Sequence, residues 1–290
     1  MQKFDLIEPT SLDEALGILG KEDTRVIGGG TALIVLVKNG LLRPRYLVSL
    51  RKLPELGTSK PRGTGMSFGA CTHLRDIERS NKVRERLPLV SAAVEHIGNV
   101  RVRSAATVGG TICEADYQSD FAVALLALGG RVRVRGLQGE RLISIDEFYV
   151  GPYTTALDTG ELVTELEIDA APQGASSAYL KCVTGPVTDR PCVAVAAVVG
   201  LDAAGACVHS RLVVGGVDGF SSRPLRVTAA EQLAIGAKIT SQTIAAMSEI
   251  ACRQADPASD LKASAQYKKE MTKVFCRRAL EQALGGNRGG

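Results

Sequence analysis

Short apolar runs alternate with segments of helical period through the first half of the chain, the pattern of an α/β domain. In "SLDEALGILG", Ser11 and Glu14 form a capping box that starts a helix at about Leu12 and carries it to Leu19, with Gly20 at its end. "TRVIGGG" then reads as a strand passing into a loop, "TALIVLVKNG" as a short helix closed by Gly40, and "YLVSL" as a strand. "GMSFGACTHLRDIERS" predicts a strand running into a second capped helix. Residues 82–97, "KVRERLPLVSAAVEHI", keep helical period across a proline that breaks or bends it, and stop at Gly98. Past a glycine-bearing loop near Gly109, "SDFAVALLALGG" is a buried helix and "RVRVRG" an alternating strand. That strand puts Arg131, Arg133 and Arg135 on one face, as a solvated edge or as a docking patch for a partner.

The texture changes near residue 175. "SAYLKCV" and "CVAVAAVVGLDAAGACVHSRLVVGGV" predict antiparallel strands joined by a turn at "DAAG", and three helices follow from about Ala229, Ser241 and Ser264. The last helix carries Tyr267, Met271, Val274, Phe275 and Leu284 at helical spacing, which predicts a packed face. The final "GGNRGG" is expected to fray.

At 290 residues two domains are expected, with ample core for folding. A content of 45% hydrophobic and 23% charged residues fits a globular chain, and no apolar run is long enough to span a bilayer. The opening "MQKFDLIEPT" lacks the apolar core of a secretory signal, so a cytoplasmic protein with reduced thiols is expected. Cysteines 71, 113, 182, 192, 207, 252 and 276 include no C-x-x-C pair, which argues against a zinc ribbon or an iron–sulfur cluster in this chain. A net charge of +4 with dispersed basic residues and no tryptophan gives no nucleic-acid platform. His73, His96 and His209 show no metal-ligand spacing, no G-x-S-x-G elbow occurs, and Cys113 has no evident base, so packing accounts for it better than nucleophilic catalysis.

Gly28, Gly29 and Gly30 stand where a strand yields to a helix, a place where free amide groups favour an anion. A P-loop is excluded, because no Lys-Ser/Thr pair follows these glycines, and a Rossmann fingerprint fails at Leu33 and at Leu50–Arg51. A second loop, "ATVGGTICEADYQSD", repeats the order of Gly29, Gly30 and Thr31 in Gly109, Gly110 and Thr111. Either loop alone is a turn in most proteins. Together, with Asp116 and Asp120 following, they fit a dinucleotide, the loops converging on its pyrophosphate and the carboxylates accepting from ribityl or ribose hydroxyls.

"VIGGGTAL", "IGNVRVRSAATVGGTICEADYQSD" and "SAQYKKEMTKVFCRRAL", in that order over nearly the whole chain, resemble the FAD-binding medium subunits of the molybdenum hydroxylases, the group of carbon monoxide dehydrogenase and xanthine dehydrogenase. The resemblance implies an α+β fold of the vanillyl-alcohol oxidase and para-cresol methylhydroxylase type. Two α/β subdomains, about 1–57 and 58–175, form the FAD-binding domain, and residues 176–290 form a C-terminal domain of antiparallel sheet and helices like that of carbon monoxide dehydrogenase flavoproteins. It places Gly28, Gly29, Gly30, Thr31 and Ala32, then Thr107, Gly109, Gly110 and Thr111, around the pyrophosphate. Asp120 falls near the ribityl chain, Ala70 and Thr72 near the cofactor, and Lys181 at the start of the C-terminal domain. The sequence departs from the family at Gly185, Pro186, Asp189, Arg190 and Pro191, where Arg190 is a candidate to stabilise reduced anionic flavin.

The resemblance further implies an oxidoreductase complex: a large molybdenum-cofactor subunit, a small [2Fe–2S] subunit, and this chain passing electrons from the clusters to an external acceptor, in a dimer of heterotrimers. A self-sufficient flavin reductase or oxidase, or an assembly module that has lost FAD, are the other readings of the same fold.

Overall fold

Strand β1 (Asp5–Ile7), helix α1 (Leu12–Leu19), β2 (Thr24–Ile27), α2 (Leu33–Lys38) and β3 (Tyr46–Ser49) build a three-stranded parallel sheet in the order β1-β3-β2. These come from a computed structural model that describes residues 3–219 and 223–286. Ser11 Oγ accepts from Glu14 N–H at 3.2 Å, and the Glu14 carboxylate folds back onto Thr10 N–H at 2.8 Å, so α1 starts where its letters place it. Ala15, Leu16 and Leu19 face Val48, Leu50, Leu53 and Leu56 in a small separate core.

The second layer is a five-stranded antiparallel sheet, β4 (Ser59–Arg62), β5 (Gly65–Gly69), β6 (Arg131–Gly136), β7 (Gly139–Ser144) and a later strand at Leu162–Ile168, in the order β4-β5-(162–168)-β6-β7. Between β5 and β6 run six helices: α3 (Leu74–Arg79), α4 (Asn81–Arg86), α5 (Pro88–Glu95), α6 (Val100–Ala105), α7 (Val108–Cys113) and α8 (Asp120–Leu128). Pro88 breaks the 82–97 pattern rather than bending it, because proline suits the first position of α5, where no intrahelical N–H is needed. The cap expected on the helix after β5 is absent. Instead Leu74 N–H donates to Ala106 O at 3.0 Å, so a tertiary contact replaces the side-chain cap of α3. Ser119 caps α8, in which every residue but Leu128 is buried.

A short helix, α9 (Ile145–Phe148), and the small hairpin β8 (Tyr149–Gly151) and β9 (Thr154–Thr155) lead into the central strand β10 (Leu162–Ile168). The arginine strand β6 is interior, lying between β10 and β7, and is neither edge nor bare patch. Arg131 and Arg133 pair with Glu167, which also holds Arg62 at 3.0 Å, and Arg135 reaches Asp13 at 2.8 Å. Glu167 is only 1% exposed beneath three guanidinium groups. Replacing it with alanine should lower stability by about 1–3 kcal/mol, the arginines being exposed enough to recover hydration. A denaturant midpoint unchanged by Glu167→Ala would show the ladder to be idle.

β11 (Ala175–Cys182), β12 (Val193–Leu201), β13 (Cys207–Gly215) and β14 (Leu225–Arg226) form the third sheet in sequence order, followed by α10 (Thr228–Ala234), α11 (Ser241–Gln254) and α12 (Ala265–Gly286). β12 is buried on both faces, which is why "VAVAAVVG" shows no alternation. Ala194, Ala196 and Val198 join the core of α5 and α8, while Val193, Val195, Ala197 and Val199 pack under α10–α12. The texture change near 175 therefore marks a new sheet, while one core runs through it. In α12 the buried stripe is Lys268, Thr272, Cys276, Ala279, Leu280, Ala283 and Leu284, and Tyr267 is exposed. Small residues let α12 lie close to its neighbours, so the large side chains that suggested the packed face sit mostly at its margin. Of the terminal "GGNRGG", residues 287–290 lie outside the described residues.

Candidate functional site

The two glycine loops meet. Gly28–Ala32 leaves the C-terminal end of the parallel strand β2, and the loop entering α7 leaves α6; they touch backbone to backbone. A Cβ built on Gly29 would lie 1.7 Å from Ala105 O, and one on Gly28 would lie 2.5 Å from Thr107 Oγ1. Gly30 has φ +70°, a left-handed conformation natural to glycine. Among the described residues, the amides of Gly29, Gly30, Thr31 and Ala32 donate to no protein acceptor. Such a run of free N–H groups beside a positive-φ glycine is a nest for an anion.

The second loop is built differently. Val108 and Gly109 N–H donate to Thr72 O and Ala70 O at 2.9 and 2.8 Å, and a Cβ on Gly109 would meet the Ala70 Cβ at 2.8 Å. Thr107 caps α7 by accepting from Gly110 N–H at 3.2 Å, and Thr111 Oγ1 donates to Thr107 O at 2.8 Å. Thr72 is buried, its hydroxyl donating to Thr58 O at 3.2 Å. Its amides thus being committed inside the protein, the second loop holds the first in place, while the first carries the free donors. Thr31 is exposed at the rim of the same feature.

Asp116 and Asp120 each have partners within the protein. Asp116 pairs with Arg190, which also meets Glu114 at 3.0 Å; two residues on, Gln118 Nε2 donates to Pro191 O at 2.8 Å. Two further on, Asp120 accepts from the Tyr179 hydroxyl and from Lys181 Nζ at 3.0 Å, and the same Nζ donates to His96 O at 2.7 Å. Residues 116, 118 and 120 tie the loop after α7 to the third sheet. Two carboxylates, Asp116 and Glu114, flank the Arg190 guanidinium and hold it in place. Glu114, Gln118 and Tyr179 went unread in the sequence; the alternate polar positions of "EADYQSD" are the signal that marks the segment.

Burial pushes the Asp120 carboxyl up to about 6, against the pull of Lys181 and the Tyr179 hydroxyl. Burial likewise raises Glu114 and lowers His96, the Lys181 ammonium adding to the latter. Asp120 holds its proton more tightly folded than unfolded, so its contribution to stability is complete below about pH 4 and is lost as pH rises through about 6. Asp120→Asn should flatten the fall in stability between those limits by about 2–3 kcal/mol. Parallel denaturant titrations of both proteins at about pH 4 and about pH 7.5 would read this, and equal falls would refute it. Burial also raises the Cys113 thiol to about 12, in keeping with a packing role. No group of three or more metal-binding side chains occurs among the described residues, and no helix there is long and apolar enough to cross a membrane.

Known proteins share this architecture. A family model for the FAD-binding domain in molybdopterin dehydrogenase matches residues 2–170, and one for the CO dehydrogenase flavoprotein C-terminal domain matches residues 178–283. The glyceraldehyde dehydrogenase medium chain of Sulfolobus acidocaldarius is 32% identical, with 97% of this chain and 98% of the relative aligned. The carbon monoxide dehydrogenase medium chain of Afipia carboxidovorans is 30% identical over 97% of this chain and 96% of its own. A solved structure of carbon monoxide dehydrogenase from Hydrogenophaga pseudoflava, lacking the Mo-pyranopterin moiety of its molybdenum cofactor, superposes with a TM-score of 0.92 over 98% of each chain at 29% identity.

Proposed function

Since the chain belongs to the FAD-binding medium subunits of the molybdenum hydroxylases, an oxidoreductase family, we propose that it carries electrons from [2Fe–2S] clusters of a small partner subunit to an external acceptor. A large partner holds the molybdenum cofactor and oxidises the substrate, and the assembly is a cytoplasmic dimer of heterotrimers. Within the chain, residues 1–57 and 58–175 form the two FAD-binding subdomains and 176–290 the covering domain.

The observation that carries this reading is the contact of Gly29 with Ala105 O beside four unbonded amides, a backbone cradle that any side chain would fill. The donors suit a pyrophosphate: Gly29, Gly30, Thr31 and Ala32 offer N–H groups, with the Thr31 hydroxyl at the rim and Gly28, Thr107, Gly109, Gly110 and Thr111 fixing the loop. Bound there, FAD supplies the redox chemistry. The protein binds and orients it. Thr107 sets the α7 turn, Ala70 and Thr72 brace the second loop from the turn after β5, and Asp116, Gln118, Asp120 and Lys181 keep the third sheet against the site.

Purified alone, the chain should be yellow and on denaturation release FAD, identified by chromatography against standards. Folded, colourless protein that also fails to take up added FAD would refute the cofactor assignment, and steady turnover of a small substrate by the isolated chain would favour the self-sufficient oxidase. Iron and molybdenum in the natively co-purified complex test the partners.

A further inference from the structure

Two thiols meet where β11 and β12 begin to pair. The ladder matches Cys182 with Val193, yet Cys192 N–H also donates to Cys182 O at 2.9 Å, so residue 192 still lies opposite 182. The Cys192 thiol also donates to the same carbonyl oxygen at 3.2 Å, which sets its sulfur beside residue 182. Both side chains belong to the core under α10–α12, so they point to one face of the sheet. Adjoining strands of an antiparallel sheet lie about 4.8 Å apart, and a disulfide spans Cα atoms about 4.4–6.8 Å apart, so one hydrogen-bonded step across the ladder is within its reach. Cys182 is 5% exposed and Cys192 is fully buried, so the oxidant that reaches them must be small.

We propose that Cys182 and Cys192 form a reversible disulfide that locks residues 183–191 as a closed loop. With hydrogen peroxide as oxidant, one thiolate attacks an oxygen, the O–O bond breaks, and a sulfenic acid and the first water form. The second sulfur displaces the sulfenic oxygen, which leaves with a proton as the second water. Two thiols thus lose two electrons and two protons, and the peroxide takes up both. The neighbouring Cys182 thiol holds the Cys192 thiol below its ordinary range, with the Lys268 ammonium assisting, which favours Cys192 as the attacking sulfur. The loop so closed carries Arg190 and Pro191, the partners of Asp116 and Gln118, so oxidation tightens the hold of the third sheet on the glycine-loop region.

The full chain would be treated with hydrogen peroxide, alkylated under denaturing conditions, digested and weighed. Peptides containing residues 182 and 192 should appear linked, about 2 Da lighter than their sum, and separate again with dithiothreitol. Cys192→Ser should abolish the link and Cys71→Ser should not, while the oxidised wild type should melt above the reduced protein. Alkylation of both thiols after peroxide treatment, or their conversion to sulfinic acid without linkage, would overturn the proposal.

Discussion

Gly29→Ala should strip the chain of flavin, whereas the same exchange at Gly17 should leave flavin untouched and make the protein more stable. The new methyl at position 29 would sit 1.7 Å from Ala105 O and 2.4 Å from its carbon, both backbone atoms that no rotamer change can move. Either the first loop lifts from the α6–α7 junction or the junction shifts; both pull the free amides of Gly29 to Ala32 out of register. Overpacking of this kind costs about 1–3 kcal/mol, and each ~1.4 kcal/mol lost from binding is a factor of ten. Flavin affinity should fall by about ten- to hundredfold, and the purified variant should be nearly colourless. At Gly17, inside α1, nothing lies within 4 Å of the new methyl, so alanine only improves helix propensity, by about 0.5–1 kcal/mol. Gly28→Ala should fall between them, since it meets the Thr107 hydroxyl, a side chain that can rotate but then abandons Gly110. The flavin-to-protein absorbance ratio and a thermal melt separate these cases, and a fully yellow Gly29→Ala protein would remove the loop contact from the account.

What the sequence discloses here follows the range of the interaction involved. α1, α8 and the β12–β13 hairpin are legible because period, caps and turns lie within a dozen residues. β6 is misread as an edge because its second neighbour, β10, comes about thirty residues later and nothing in "RVRVRG" announces it. α12 misleads through an assumption about size: close packing selects Cys276, Ala279 and Ala283, which no hydrophobic stripe of large residues reveals. At the site, the glycines are legible as glycines, but the reason for Gly29 is a carbonyl at residue 105, invisible without the fold. The acids are the sharpest instance. Asp120 stands out in the sequence as an acid beside the second loop, but its partners, Tyr179 and Lys181, arrive from a different sheet and make it a tie between layers that no local pattern announces.

That tie gives the second large effect: Lys181→Met should destabilise the chain by about 3–5 kcal/mol, and adding Asp120→Asn should recover much of the loss. Lys181 and Asp120 side chains are 3% and 7% exposed, so neither charge has water to fall back on when the other is removed. Methionine fills the space of the lysine stem but leaves the Asp120 carboxylate buried with the Tyr179 hydroxyl alone, and leaves His96 O without its donor. Neutralising Asp120 in the double variant removes the stranded charge and keeps an acceptor for Tyr179, which a mere loss of packing at 181 would not reward. The pH dependence distinguishes the two causes. Asp120 binds a proton with a pKa of about 6 when Lys181 is present, so in acid the pair is already un-ionised on one side and the deficit of Lys181→Met should be small. As pH rises through about 6 the wild type gains its ion pair while the variant must either bury a lone carboxylate or keep the proton, and the deficit should widen. Denaturant midpoints of the wild type, both single variants and the double variant at about pH 4.5 and about pH 8 complete the cycle. A deficit independent of pH, with no recovery in the double variant, would mean that the third sheet is held to α8 by packing alone.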